Sequence, residues 1–323
     1  MRIALFLPHV GVFGGVRRFI ELGNAWSRTG HEIALYHPGG GPPGWLPFAG
    51  ATRPLDRAVA ESSDLAFCAE GITFAAFRSH RAATRVYYCV IEGDPIPPRH
   101  ARDPDLRFAA NSGALIQRLA RRTHRPVLDG IGGVSLQQFH PDASRRGSTV
   151  RVLLNGRRSR PKKGTDLILA ALRAIARRGT AFETVLFDSV DPHNRQDPRE
   201  GANLPPNARF VLGPTQEELA RLYQSAHVFV AAERKAGWCN TALEAMASGC
   251  AVVCTRSGTR DFAKDGANAL VTLRHPWCLE RAIRRLLADS ALRARLSAAG
   301  PGTAAEWTWD RLAKKLLDQL AAR

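Results

Sequence analysis

Apolar residues recur along this chain in two rhythms that alternate. Short unbroken apolar runs at residues 3–7, 150–154, 228–232 and 251–255 have the pattern of parallel strands buried on both faces. Between them lie stretches of helical period. The first, residues 16–28, sets Phe19, Ile20, Leu22 and Trp26 on one side, and Gly30 ends it before a second strand at 32–36. This is a βαβ start. Further strands are expected at 65–69, 85–90 and 107–110, the last followed by Asn111-Ser112 as a helix cap. A polar, turn-forming break at 141–149 (PDASRRGST) suggests a linker near residue 145. The rhythm then restarts, with strands at 150–154, 184–188, 208–212, 228–232 and 251–255. Helices are expected at 165–178, from Thr215, and at 241–248, 277–288, 291–299 and 309–321. Two α/β domains with doubly wound parallel sheets account for this order, and no short internal repeat competes with it.

The bulk properties narrow the class. A chain of 323 residues has room for two such domains, and 45% hydrophobic content supplies a core for each. No run approaches the roughly 20 apolar residues of a membrane span. The opening MRIALFLPHV reads as a buried strand, since no small-residue cleavage site follows it. A cytoplasmic protein is expected. Cys250 and Cys254 are spaced CxxxC but bracket an apolar strand with no histidine near them, so buried thiols fit better than zinc ligands. The net charge is +17, and only six of the 46 basic residues are lysine. Both halves share the excess, which excludes a single basic tail. A basic surface attracts anions: nucleotides, acidic lipid headgroups or nucleic acid.

Open α/β sheets bind ligands beyond the carboxyl ends of their strands, so the segments after each strand carry the functional information. After 150–154 comes Asn-Gly156-Arg157-Arg158-Ser-Arg160-Pro-Lys162-Lys163-Gly164. Five cations and two glycines between strand and helix suit a diphosphate, and they equally suit a solvated basic turn. The spacing is not that of a Walker loop. After 228–232, Gly237 leads to a helix capped by Asn240 or Thr241, with Glu244 three residues past Thr241 as in a capping box. The N–H groups of such a helix start favour phosphate. Glu244 is thus either a capping residue or a ligand contact.

These two segments together resemble the donor-binding signatures of the glycosyltransferases group 1 family (retaining family 4, GT-B fold). The matching residues are Gly156, Arg157, Lys163 and Gly164, then Gly237, Trp238 and the string Leu243-Glu244-Ala245-Met246-Ala247 with Gly249, Val252 and Val253. Gly14-Gly15-Val16, Phe139-His140-Pro141 and the stretch 258–271 (GTRDFAKDGANALV) resemble the family as well. The resemblance implies two Rossmann-like domains facing a cleft: 1–146 on the acceptor side, 147–305 binding the nucleotide-sugar donor, and 306–323 as a helix crossing back to the first domain. It implies that Arg157 and Lys163 neutralise the donor diphosphate. Main-chain N–H groups at Gly14, Gly15, Asn240 and Thr241 would contact phosphate, and Glu244 would bind the ribose hydroxyls. The nucleotide-diphosphate sugar enters as a substrate, with no cofactor and no metal implied. The acceptor class it implies is a glycan or a lipid-linked molecule.

The sequence departs from that pattern at the position where the family places its first glutamate, which is Ala236 here. Glu233, three residues earlier, is the candidate replacement, and its other reading is a surface charge. Where the family carries a histidine after a middle strand of the first domain, this chain offers Glu92 and Asp94, either of which suits an acceptor hydroxyl as orienting group or base. The basic helix at 114–125 reads as a core face with a solvated side, or as an interfacial element bringing the protein to an inner membrane surface. Two other function classes stay open: a degenerate member that binds a nucleotide or partner without transfer, and a DNA-modifying transferase suggested by the charge. Against the latter, no basic cluster is interleaved with aromatic residues.

Overall fold

The computed structural model describes residues 1–69, 71–90, 96–190 and 197–322. The chain divides into two compact units, Met1–Gly133 with Trp307–Arg323, and Val134–Glu306.

In the first unit the elements run β1 (Arg2–Phe6), α1 (Gly14–Arg28), β2 (Glu32–His37), β3 (Ala51–Pro54), β4 (Ser62–Cys68), α2 (Phe74–Ser79), β5 (Arg81–Cys89), α3 (Pro98–Ala101), β6 (Leu106–Ala110), α4 (Gly113–Thr123) and β7 (Val127–Asp129). The sheet order is β3-β2-β1-β4-β5-β6-β7, and its ladders are parallel, with Ile3 opposite Ile33 and Leu65. Alternate residues of each strand serve two separate cores. Ile3, Leu5, Phe67, Val86 and Tyr88 face α1, while Ala4, Phe6, Cys68, Tyr87 and Phe108 face α2 and α4. This double burial is why the strands read as unbroken apolar runs.

The second unit repeats the scheme with β8 (Arg151–Asn155), α5 (Thr165–Ala176), β9 (Glu183–Asp188), β10 (Ala208–Leu212), α6 (Gln216–Ser225), β11 (Val228–Ala231), α7 (Asn240–Ala247), β12 (Ala251–Cys254), β13 (Leu270–Val271), α8 (Pro276–Ala288) and α9 (Ser290–Ala305). Its strand order is β10-β9-β8-β11-β12-β13, again parallel. The winding reverses between β8 and β11. At Gly300 a Cβ would stand 2.6 Å from the Met246 carbonyl oxygen, so glycine there lets α9 lie directly on α7. The last helix, α10 (Trp309–Ala321), belongs to the first unit: Trp26 donates to the Ala313 carbonyl at 3.0 Å, and Leu312 and Leu316 join the α1 core.

The domain boundary differs from the sequence expectation. The division falls after Gly133 rather than at 146, because the polar stretch 141–149 is anchored inside the second unit. Arg146 donates to the carbonyls of Ser248 (3.1 Å) and Gly249 (2.6 Å), satisfying the carbonyl end of α7. Gly133 itself has φ +118, and a Cβ there would overlap the Trp309 ring. The basic helix α4 spends its apolar side on the fold, since Leu115 and Leu119 are fully buried. That face is therefore not available to a membrane surface. The short strands β3, β7 and β13 and the small helices α2 and α3 carry too few residues to show a period. No helix among the described residues is long and apolar enough to cross a membrane. The six cysteines form no disulfide among the described residues, and burial pushes the thiols of Cys250 and Cys254 up to about 12.

His80 is fully buried, with Nε2 2.8 Å from Ser63 Oγ and Nδ1 2.8 Å from the Ala58 carbonyl oxygen. Burial lowers its pKa from 6.5, because the charged ring loses its water. A depressed native pKa contributes stability that is present above the unfolded value and lost as pH falls through the native one. Thermal melts of the chain across pH 7.5 to about 5 are expected to show a falling midpoint. In His80→Gln that dependence should be shallower, and an equal slope in both proteins would contradict the assignment.

Candidate functional site

The reversal between β8 and β11 opens the sheet of the second unit at its carboxyl edge, and two loops leave adjacent strand ends there. The first, residues 156–164, turns sharply. Gly156 N–H donates to the Phe187 carbonyl at 2.8 Å, and a Cβ at Gly156 would strike the Phe210 ring at 2.5 Å. Asn155 Oδ1 accepts from the Arg157 N–H at 3.0 Å. The loop closes at Gly164, φ +75, where a Cβ would stand 2.3 Å from the Ala232 carbonyl oxygen. Only glycine meets both conditions. The second loop, residues 232–239, is thereby pressed against the first, and the Arg234 N–H donates to the Lys162 carbonyl at 2.8 Å.

This contact places two cations of the basic loop beside two carboxylates. Arg157, 8% exposed, donates from Nε to Asp188 Oδ1 at 2.9 Å, and from Nη2 to Ser189 Oγ at 2.9 Å. Asp188 ends β9 and is also buried. Burial raises its carboxyl above the usual carboxylate range, and the Arg157 guanidinium draws it back only in part. Lys163 Nζ donates to Glu233 Oε1 at 2.6 Å. Burial pulls the ammonium down, but the charge and hydrogen bond of Glu233, together with Cys239, more than offset this, and Lys163 holds its proton more tightly than an ordinary lysine. Arg158 turns away to Asp166 at 2.8 Å and to the Glu200 carbonyl at 2.6 Å. The basic loop is thus more than a solvated turn, although Lys162 on its crest is exposed.

From Glu233 the cluster continues into α7. Cys239 Sγ lies 3.5 Å from both Glu233 Oε1 and Thr241 Oγ1. The helix begins at Asn240, with Cys239 at the N-cap in place of Asn240 or Thr241 and no side-chain cap. That shift carries Glu244 into the second turn, too far along to close a capping box with Thr241. Glu244 is instead buried, accepting from Tyr223 Oη at 3.0 Å. The capping box of this unit lies elsewhere, between Thr215 and Glu218. Helices α4, α6, α8, α9 and α10 are all capped by side chains, those of Ser112, Thr215, His275, Asp289 and Thr308. Neither α1 nor α7 has such a cap or an acid in its first turn.

The structure therefore brings together Arg157, Lys163, Glu233, Asn240, Thr241 and Glu244. Gly14 and Gly15 open α1 in the first unit, where a Cβ at Gly15 would meet Val90 at 3.5 Å. Glu92 and Asp94 lie outside the described residues. Ala236, at the family's glutamate position, donates its N–H to Ser257 Oγ at 2.9 Å and faces Gly258. Sequence reasoning missed Asp188 and Tyr223. The signal for Asp188 was present, an acid closing the apolar run 185–187 at a ligand-facing strand end.

The Lys163–Glu233 pair gives a testable energetic claim. Lys163→Met leaves the Glu233 carboxylate buried without its cation and is expected to cost about 3 kcal/mol. Lys163→Met/Glu233→Gln should recover most of that loss in chemical denaturation. A double variant no more stable than the single would contradict the pairing.

Comparison with known proteins agrees with this geometry. A family model described as glycosyl transferases group 1 matches residues 137–303, just over half of the chain. A D-inositol 3-phosphate glycosyltransferase of Nocardiopsis dassonvillei is 28% identical over 206 residues, 58% of this chain and 48% of that protein. One of Corynebacterium urealyticum is 32% identical over 112 residues, 34% of this chain and 26% of that protein. The chain thus matches about half, or less, of the length of these curated relatives. Among solved structures, sucrose-phosphate synthase of Thermosynechococcus elongatus superposes with a TM-score of 0.81 at 18% identity, over 99% of both chains. Anabaena Alr3699/HepE in complex with UDP and glucose gives 0.78 at 14% identity, over the whole of both. These likenesses establish the GT-B fold.

Proposed function

Because this chain belongs to the glycosyl transferases group 1 family, we propose that it moves a hexose or deoxyhexose from a nucleotide-diphosphate sugar to a hydroxyl of a glycan or lipid-linked acceptor. One observation carries the reading. Arg157, Lys163 and the N-terminus of α7, which has no side-chain cap, converge at the winding reversal of one sheet. That is the place and the charge a diphosphate requires.

In this reading the donor's C1–O bond to the diphosphate breaks, and the charge growing on the leaving oxygen is met by Arg157 and Lys163. Two preorganised side-chain cations supply that stabilisation without a metal. The acceptor hydroxyl forms the new C1–O bond on the same face, and its proton passes to the departing diphosphate, which gives retention. Glu244, held by Tyr223, accepts from the ribose hydroxyls. Glu233 serves first as the counter-ion that fixes Lys163. Glu92 or Asp94 would orient the acceptor. A second reading, nucleotide binding without transfer, is favoured by Ala236 standing where the family has a glutamate.

A thermal-shift panel of nucleotides and nucleotide sugars separates these readings. UDP and UDP-glucose come first, since the HepE structures hold them. A ligand at 100 times its dissociation constant should stabilise the chain by about 2.7 kcal/mol. Arg157→Ala should sharply reduce the shift, without removing it, and should abolish the release of UDP from a sugar donor. Binding without donor turnover across the panel would favour the second reading, and full activity in Arg157→Ala would overturn the first.

A further inference from the structure

Asp188 lies at the carboxyl end of β9, level with Leu212 of β10 and one residue beyond the pairing of Phe187 with Asn155. That register sets its carboxylate beside the loop leaving β8. Both Nε and Nη2 of Arg157 lie 2.9 Å from Asp188 Oδ1, and Nη2 lies equally close to Ser189 Oγ. With the Asn155 turn holding its main chain, Arg157 is fixed at both ends. A guanidinium on three rotatable carbons has many orientations, and burial alone selects none of them. The two tethers from residues 188 and 189 select one.

Resting on the donor-site reading above, we propose that Asp188 is a positioning residue: it aims Arg157 at the diphosphate, and Ser189 assists it. The cost of this device is a negative charge beside an anion site. Coulomb attraction and positioning therefore make opposite predictions for Asp188→Asn. Removal of a carboxylate near a bound anion, taken alone, tightens binding. Loss of the tether weakens it, because the guanidinium must be reoriented on binding. Positioning is expected to win, since a modest misplacement of an active group costs up to about 100-fold while the removed charge is partly screened by Arg157 and by Lys163, the other cation facing Asp188.

The test is calorimetric titration of the full chain with UDP and with inorganic pyrophosphate, which probes the diphosphate without base or ribose. Asp188→Asn should weaken both by about tenfold or more, measured well below its thermal midpoint, which the loss of the buried pair lowers. In an Arg157→Ala background the same substitution should reverse sign and tighten binding, a response that a merely structural role for Asp188 would not produce. Ser189→Ala, which leaves the buried charge untouched, should weaken binding less, and it keeps the test alive if Asp188→Asn folds poorly. Binding that is unchanged or tighter in Asp188→Asn, with Arg157→Ala still defective, overturns the positioning role alone. Binding unaffected by Arg157→Ala overturns the donor-site reading itself.

Discussion

Two carboxylates buried in the second unit, Asp188 and Glu233, are each paired with a cation, and the rest of the site depends on that pairing. Arg157 has Asp188 and Lys163 has Glu233, each at hydrogen-bond distance. The partners come from three segments: the loop between β8 and α5, the end of β9 and the loop after β11. Removing either cation leaves a buried carboxylate that the interior cannot solvate. The two pairs therefore fasten the strand ends at the point where the winding reverses. Gly164 makes the fastening possible, since any side chain there would push the β11 loop away.

The same pairing shapes what the site attracts. Two cations and two carboxylates carry no net charge together, so long-range attraction falls to exposed Lys162, Arg234 and Lys235 on the same two loops. The buried pairs act at contact range, where orientation counts for more than charge. Placing stabilising groups before the reaction begins is what lets them act on a leaving group without reorganisation. The missing side-chain cap on α7 fits this division, because its first turn faces the loops that carry these charges while five other helices are closed by Ser, Thr, His or Asp.

Much of this was legible in the sequence, and the reason is periodicity. Strands buried on both faces announce themselves as apolar runs, so the core strands and the long helices were found to within a few residues. Arg157, Lys163 and Glu244 were legible because loop position and the Leu243–Gly249 string mark them. The linker was misplaced because polar composition does not distinguish a true connection from a segment tied down by one arginine, Arg146. The capping box at Thr241 failed because cap geometry depends on a two-residue shift of the N-cap, from Thr241 to Cys239, that no pattern fixes. Asp188 and the Tyr223–Glu244 contact were missed because they join residues 31 and 21 positions apart across adjacent elements, and only register brings such pairs together.

A crystal structure of the chain with the nucleoside diphosphate that stabilises it most would test the central claim directly. The account predicts diphosphate oxygens within hydrogen-bond reach of Arg157, Lys163 and the first N–H groups of α7, with ribose hydroxyls on Glu244. A nucleotide bound elsewhere, with the Arg157–Asp188 and Lys163–Glu233 pairs intact and untouched by phosphate, would contradict it.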